Sequence, residues 1–129
     1  MKISELYQVF LKHPVVTTDT RDCPKNSMFF ALRGASFNGN DFAIKALESG
    51  CAYAVVDDER VVGDERLIHV PDVLTAMQEL AAYHRQQLHT PILQVTGTNG
   101  KTTTKELTSA VLSERFNVLY TLGNFNNHI

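Results

Sequence analysis

Residues 91–107, PILQVTGTNGKTTTKEL, carry an apolar run into two glycines, a lysine and three consecutive threonines. The run "ILQVT" predicts a strand, and "KTTTKELTSAVLSERF" predicts a helix that begins directly after Gly100. A second strand is predicted at "NVLYT", so this end of the chain reads as a βαβ unit. Between strand and helix, Gly97 and Gly100 permit a tight turn and let backbone N–H groups approach an anion without a Cβ in the way. The helix start adds unclaimed N–H groups and about half a positive charge. Lys101 is placed to reach terminal phosphates, and the Thr102 hydroxyl to ligate Mg²⁺. These features describe a cradle for a nucleoside triphosphate. The full pattern GxxxxGK[ST] asks for glycine at position 95, where this chain has Val95, leaving GxxGK[ST]. The bland alternative, a glycine turn before an ordinary helix with an exposed lysine, is outweighed by the strand–loop–helix setting.

Upstream of this loop the chain alternates helix and strand. Ile3, Leu6, Tyr7, Phe10 and Leu11 fall at helical spacing, and Pro14 ends that helix. "VVTTDTRD" starts as a strand and turns polar, "SMFFALRG" reads as a strand closed by Gly34, and "ASFNGND" as a loop. Asp41 is placed to cap a helix carrying Phe42, Ile44, Ala46 and Leu47, stopped by Gly50. "AYAVVDD" and "RLIHV" are further strands around a charged turn. Asp72 then caps a long helix whose Val73, Met77, Leu80 and His84 share a face. "HTP" at 89–91 reads as a linker, since Pro91 resists continuing a helix. The expected fold is therefore α/β in two parts, 1–89 and 90–129. The second part is expected either to be the start of a larger domain or to be poorly supported over residues 91–129, because one βαβ unit leaves open sheet edges.

Composition bounds the function. With 129 residues, 43% of them hydrophobic, the chain can bury a core. A formal charge of -2 gives no basic excess for gripping a nucleic-acid backbone. No apolar run approaches the ~20 residues of a membrane span, and "MKISELYQVF" lacks a signal-peptide core. Cys23 and Cys51 form neither a disulfide framework nor a zinc pattern and are expected to be reduced, idle thiols. A soluble, cytoplasmic, monomeric protein without nucleic-acid or membrane partners is expected. His84 is read as a boundary residue, Asp57, Asp58 and Glu59 as a solvated turn, and His128 as lacking a proton to move.

The shortened "TGTNGKTT" resembles the phosphate loop of the Mur ligase and folylpolyglutamate synthase superfamily, whose members join an amine to a carboxylate with ATP. "TTDTR" at 17–21, followed by "SMFFALRGASFNGNDFAIKALESGCAYAVV", resembles the N-terminal domain of its late amino-acid-adding Mur ligases. "GKTTTKE" and "TLGNFNNHI" are similar to the branch that adds D-alanyl-D-alanine rather than to the branch acting before it. The resemblance covers essentially the whole chain. It implies a small UDP-precursor-binding domain at 1–89 and the start of a central P-loop ATP-binding domain at 90–129.

The resemblance also implies a reaction. The terminal carboxylate of UDP-N-acetylmuramoyl-tripeptide is phosphorylated by ATP, and the amine of D-alanyl-D-alanine displaces the phosphate to form an amide. Thr96, Gly97, Thr98, Asn99, Gly100, Lys101, Thr102 and Thr103 are implied to wrap the ATP phosphates, with Lys101 at the β/γ-phosphates as the catalytic residue and Thr102 facing Mg²⁺. Thr18, Asp19, Thr20 and Arg21 are implied to hold the UDP end, and Asn124 to lie near substrate and nucleotide phosphates. A strand-end turn in which Asp19 and Arg21 merely pair is the bland alternative. Asn40, in "GNDF", departs from the "GHDF" of many relatives. The family's Mg²⁺-binding glutamate, histidine, carbamylated lysine and C-terminal domain have no match in these 129 residues, so the chain alone is expected to be an inactive N-terminal fragment. A ligase of the preceding branch, or a stand-alone UDP-sugar-binding module with a vestigial phosphate loop, are the alternatives.

Overall fold

A computed structural model of the chain describes residues 1–122. It divides into two compact units, Met1–Leu88 and His89–Ile129, one residue before the boundary expected from the linker.

In the first unit, α1 (Ile3–Lys12) leads into β1 (Val16–Thr17), and the Glu5 carboxylate accepts from the Lys2 N–H at 2.9 Å to close the helix start. β2 (Met28–Phe30) follows, then the short strands β3 (Arg33–Gly34) and β4 (Phe37–Asn38), α2 (Ala43–Glu48), β5 (Tyr53–Val56), β6 (Leu67–His69) and α3 (Val73–Gln87). The sheet is four-stranded and wholly parallel, in the order β1-β2-β5-β6. A parallel sheet is buried on both faces, and the two-residue side-chain period sorts its strands between two cores. Met28, Phe30 and Val55 face α1 and α3, where Leu6, Tyr7, Val73, Ala76 and Leu80 close over them. Phe29, Ala54 and Val56 face α2 and its Ala43, Ala46 and Leu47. Phe29 and Phe30 are both fully buried, one on each face, each contributing roughly 1.5–3 kcal/mol of transfer free energy. The result is a three-layer α/β/α unit.

Several local expectations need correction. "SMFFALRG" is not one strand. β2 stops at Phe30, where the Leu32 N–H turns back to the Phe30 carbonyl at 2.9 Å. The chain then forms an antiparallel hairpin, Arg33 opposite Asn38 and Gly34 opposite Phe37, so "ASFNGND" is not simply a loop. Its two-residue turn, Ala35–Ser36, lacks the Asn-Gly or Gly-X chemistry that marks such turns in sequence. Asp41 does not cap the following helix. Asn38 does the capping, accepting from the Asn40 N–H at 3.2 Å to start a 3-10 turn, Gly39–Phe42, that runs into α2. Asp72 caps α3 as expected, accepting from the Thr75 N–H at 2.7 Å. His84 sits at the edge of the core against α1, with Nδ1 3.2 Å from the Tyr7 hydroxyl and its ring 5.0 Å from that of Phe10.

In the second unit, α4 (Lys101–Ser113) is present. The two flanking strands are not: residues 91–96 and 117–121 belong to no ladder among the described residues. A strand is defined by its inter-strand hydrogen bonds, and these segments have no partner strand here. Ile92, Leu93 and Leu119 are correspondingly exposed. No helix among the described residues is long and apolar enough to cross a membrane.

Candidate functional site

In open parallel sheets, ligands bind beyond the carboxyl ends of the strands. The end of β1 delivers the chain to Thr18–Arg21, and the end of β2 to the β3–β4 hairpin. Residue Asp57 follows β5 at the same edge. Thr17 fixes the first of these turns: its Oγ1 accepts from the Asp19 N–H at 3.2 Å and donates to the Asp22 carbonyl at 2.8 Å. The Asp19 Oδ1 accepts from the Arg21 N–H at 2.9 Å, and Oδ2 from Arg21 Nη2 at 2.6 Å. Arg21 thus pairs with Asp19 while its side chain stays 88% exposed. Thr18 is exposed and Thr20 half-buried. The same Asp-x-Arg turn recurs at Asp58–Arg60 and Asp64–Arg66, bracing the helix-free crossover from β5 to β6.

These pairs make the unit sensitive to acid. Hydrogen bonds from Arg21 and Arg66 lower the carboxyls of Asp19 and Asp64 from 3.8 to about 2, and Arg60 lowers Asp58 similarly in direction. A carboxylate held below its ordinary value binds protons more readily in the unfolded chain, so its contribution is complete above pH 3.8 and lost as pH falls toward 2. Solvent reaches the arginine of every pair, which keeps each pair's share small. Thermal melting followed by circular dichroism is expected to show no slope from these groups above about pH 5 and a falling midpoint below about pH 4.

The expected solvated turn holds only for Glu59: the Asp58 side chain is 10% exposed beside Arg60, and Asp57 is more enclosed still. Its side chain is 7% exposed and gathers three segments. Oδ1 accepts from Asn40 Nδ2 at 2.8 Å and Arg33 Nε at 2.9 Å, and Oδ2 accepts from the Val73 N–H at 3.1 Å. Asn40 is itself buried and returns the bond, its Oδ1 accepting from the Asp57 N–H at 3.0 Å. Burial pushes the Asp57 carboxyl up, but the bonds from Val73, Asn40 and Arg33 together outweigh it and leave the group below its ordinary value. Sequence reading missed this pair, because 17 residues separate an asparagine and an aspartate that both look like turn residues.

Both cysteines are free thiols. Cys51 is buried and lies 3.2 Å from the Ser27 hydroxyl, while burial, followed by hydrogen bonding to Cys51, pushes the Cys23 thiol up to about 11. No cluster of three or more metal-ligating side chains occurs among the described residues.

In the second unit, Gly97 has φ 148° and Gly100 φ 74°, the latter left-handed and serving as the N-cap of α4. Both positions favour glycine on backbone grounds. The α4 ladder opens with the Thr104 N–H to the Gly100 carbonyl at 2.9 Å, so the amides of the first helical turn lie outside it. Residues 96–100 are all exposed, and the Lys101 ammonium donates across the loop to the Gly97 carbonyl. Thr102 and Thr103 are exposed in the first turn. The loop thus presents glycine backbone, a helix start and one lysine to solvent, a donor set that fits a phosphate chain. Asn124 and His128 lie outside the described residues.

A model described as "Mur ligase family, catalytic domain" matches residues 14–85, and one described as "Mur ligase middle domain" matches 95–129. The chain is 45% identical over 117 residues to the UDP-N-acetylmuramoyl-tripeptide--D-alanyl-D-alanine ligase of Bacillus subtilis (strain 168), covering 88% of this chain and 25% of that protein. It is 43% identical over 114 residues to the ligase of the same name from Escherichia coli (strain K12), covering 88% and 25%. Its structure is similar to the MurF ligase of Thermotoga maritima in complex with ADP, with TM-score 0.79 and 27% identity over 91% of this chain and 27% of that one. The chain spans about a quarter of the length of the curated relatives it matches. The parallel α/β/α unit, the glycine loop leading into α4 and the two matched domains lead to one conclusion: the chain belongs to the Mur ligase family.

Proposed function

We propose that this chain supplies the precursor-binding unit and the phosphate loop of an ATP-dependent ligase that adds D-alanyl-D-alanine to UDP-N-acetylmuramoyl-tripeptide. The observation that carries the reading is the loop at Gly97–Thr103, where two positive-φ glycines lead into a helix whose first residue is a lysine. The naming of its relatives supports the choice of reaction. The Thr96–Thr103 backbone and hydroxyls would wrap the phosphates of ATP, Lys101 would stand beside the β/γ-phosphates, and the Thr102 hydroxyl would face Mg²⁺, which neutralises phosphate charge when bound. Thr18, Asp19, Thr20 and Arg21 would hold the diphosphate end of the precursor, with Arg21 exchanging part of its bond to Asp19 for phosphate oxygens. Asn124 would lie near the phosphates. The chemistry follows from acyl-donor strength: a carboxylate resists attack by an amine until its oxygen is phosphorylated, and the protein contributes positioning and charge stabilisation. The protein would work as a monomer in the cytoplasm.

Titration calorimetry of the 129-residue chain tests the binding part. UDP-N-acetylmuramoyl-tripeptide is expected to bind, and the Arg21→Ala variant to weaken it by roughly tenfold, the scale of one charge-assisted hydrogen bond. A wild-type chain that ignores the precursor sinks the reading of residues 1–88. A second reading, the preceding branch of the family, is favoured by 39% identity over 98 residues to the UDP-N-acetylmuramoyl-L-alanyl-D-glutamate--2,6-diaminopimelate ligase of Geobacter sulfurreducens. Comparing dipeptide with tripeptide precursors as substrates of a full-length enzyme carrying this segment separates the two.

A further inference from the structure

The β3–β4 hairpin has only two residue pairs, too few to hold its shape unaided. It nevertheless stands at the carboxyl edge of the parallel sheet, one strand over from the Thr18–Arg21 turn. What anchors it is Asp57. Arg33, on β3, donates to the Asp57 carboxylate, and Asn40, in the 3-10 turn directly after β4, does the same. The Asn40 amide also donates to Asn38 Oδ1 at 2.9 Å, carrying the tie into β4 itself. The other carboxylate oxygen takes the first N–H of α3, so one buried group sets the position of the hairpin relative to both β5 and α3. For stability alone such an arrangement is a poor choice, because enclosing the Asp57 carboxylate costs desolvation that its polar partners, one of them the half-exposed Arg33, do no more than offset. What a buried carboxylate with directed partners adds is a fixed geometry. Asn40 is the partner that makes this possible at low cost, since its amide satisfies both the carboxylate and the Asp57 backbone N–H.

We propose that Asp57, with Asn40, is a positioning residue for precursor binding: it fixes the β3–β4 hairpin at the sheet edge in the conformation that receives the nucleoside diphosphate end of the precursor. The proposal rests on the reading of residues 1–88 as the precursor-binding unit. Asp57 touches no ligand itself, and its effect passes through the hairpin.

The test pairs two variants of the full chain that damage the same helix start differently. Asp57→Asn removes the charge that Arg33 pairs with and leaves one acceptor oxygen where the hairpin donors and the Val73 N–H now use two, whereas Asp72→Ala removes the other cap of α3, a side chain that shares no hydrogen bond with the hairpin and feels Arg33 only through space. Thermal melting gives the stability of each, and calorimetry with UDP-N-acetylmuramoyl-tripeptide, well below both midpoints, gives affinity. Both variants are expected to melt earlier than wild type. Asp57→Asn is expected to weaken the precursor at least tenfold, and Asp72→Ala by less than twofold. Should Asp57→Asn not fold, Arg33→Gln, at a half-exposed side chain, removes the β3 tie to the same carboxylate, leaves the Asn40 tie in place and is expected to weaken binding severalfold. Affinity unchanged in Asp57→Asn, or in Arg33→Gln where that variant is needed, overturns the proposal, as does an equal loss in Asp72→Ala. Absence of binding by the wild-type chain overturns it by a different route, through the reading on which it rests.

Discussion

Gly39→Ala is expected to destabilise residues 1–88 strongly, although it adds a single methyl group. A Cβ at position 39 would lie 2.6 Å from both the Ala31 carbonyl carbon and the Leu32 oxygen, and 2.8 Å from Ala31 Cα. All three are backbone atoms, next to a strand that is fully buried, so none can swing aside as a side-chain tip would. The close approach exists because the Gly39 N–H bonds the Leu32 carbonyl at 2.9 Å where the hairpin closes onto β2. The cost is about 3 kcal/mol or more, at the upper end of overpacking. In a unit of this size that lowers the melting midpoint by more than about 12 °C. Gly34→Ala, in the same hairpin, is the control: its nearest neighbours would be 3.9 Å away, and its midpoint is expected to move by only a few degrees. Circular dichroism melts of the two variants decide the matter, and similar midpoints would show the close approach to be wrong.

The second large effect concerns Lys101. In a full-length ligase carrying this segment, Lys101→Ala is expected to reduce phosphate release by at least about 10²–10³-fold, the scale for loss of one preorganised charge donor from a reacting centre. The overall fold should survive, because the lysine's contact among the described residues is its own loop's Gly97 carbonyl. The 129-residue chain, given tripeptide precursor, D-alanyl-D-alanine and Mg-ATP, should release no phosphate above background. Release by that chain which Lys101→Ala abolishes would reverse the expectation, and full activity of the variant enzyme would remove Lys101 from the mechanism.

The two halves of the chain differed in what sequence could reveal. The continuous apolar runs Met28–Phe30 and Tyr53–Val56, and the Asp72 cap of α3, are local signals, and they located β2, β5 and α3. Gly97, Gly100 and Lys101 likewise announce a loop whose backbone angles follow from residue type. The hairpin escaped because Ala35–Ser36 has no turn signature, and Asp57–Asn40 escaped because a buried polar pair is created by tertiary approach. The strands expected around α4 failed for the converse reason. Their apolar pattern is local, but a strand also requires a neighbour to bond with.

The state of the two native thiols has a practical consequence. With Cys23 still protonated at neutral pH and Cys51 enclosed, a maleimide reagent will find few thiolates to attack. A fluorophore or spin probe can therefore be attached through a new surface cysteine, leaving the native pair in place, and movements of the hairpin followed spectroscopically.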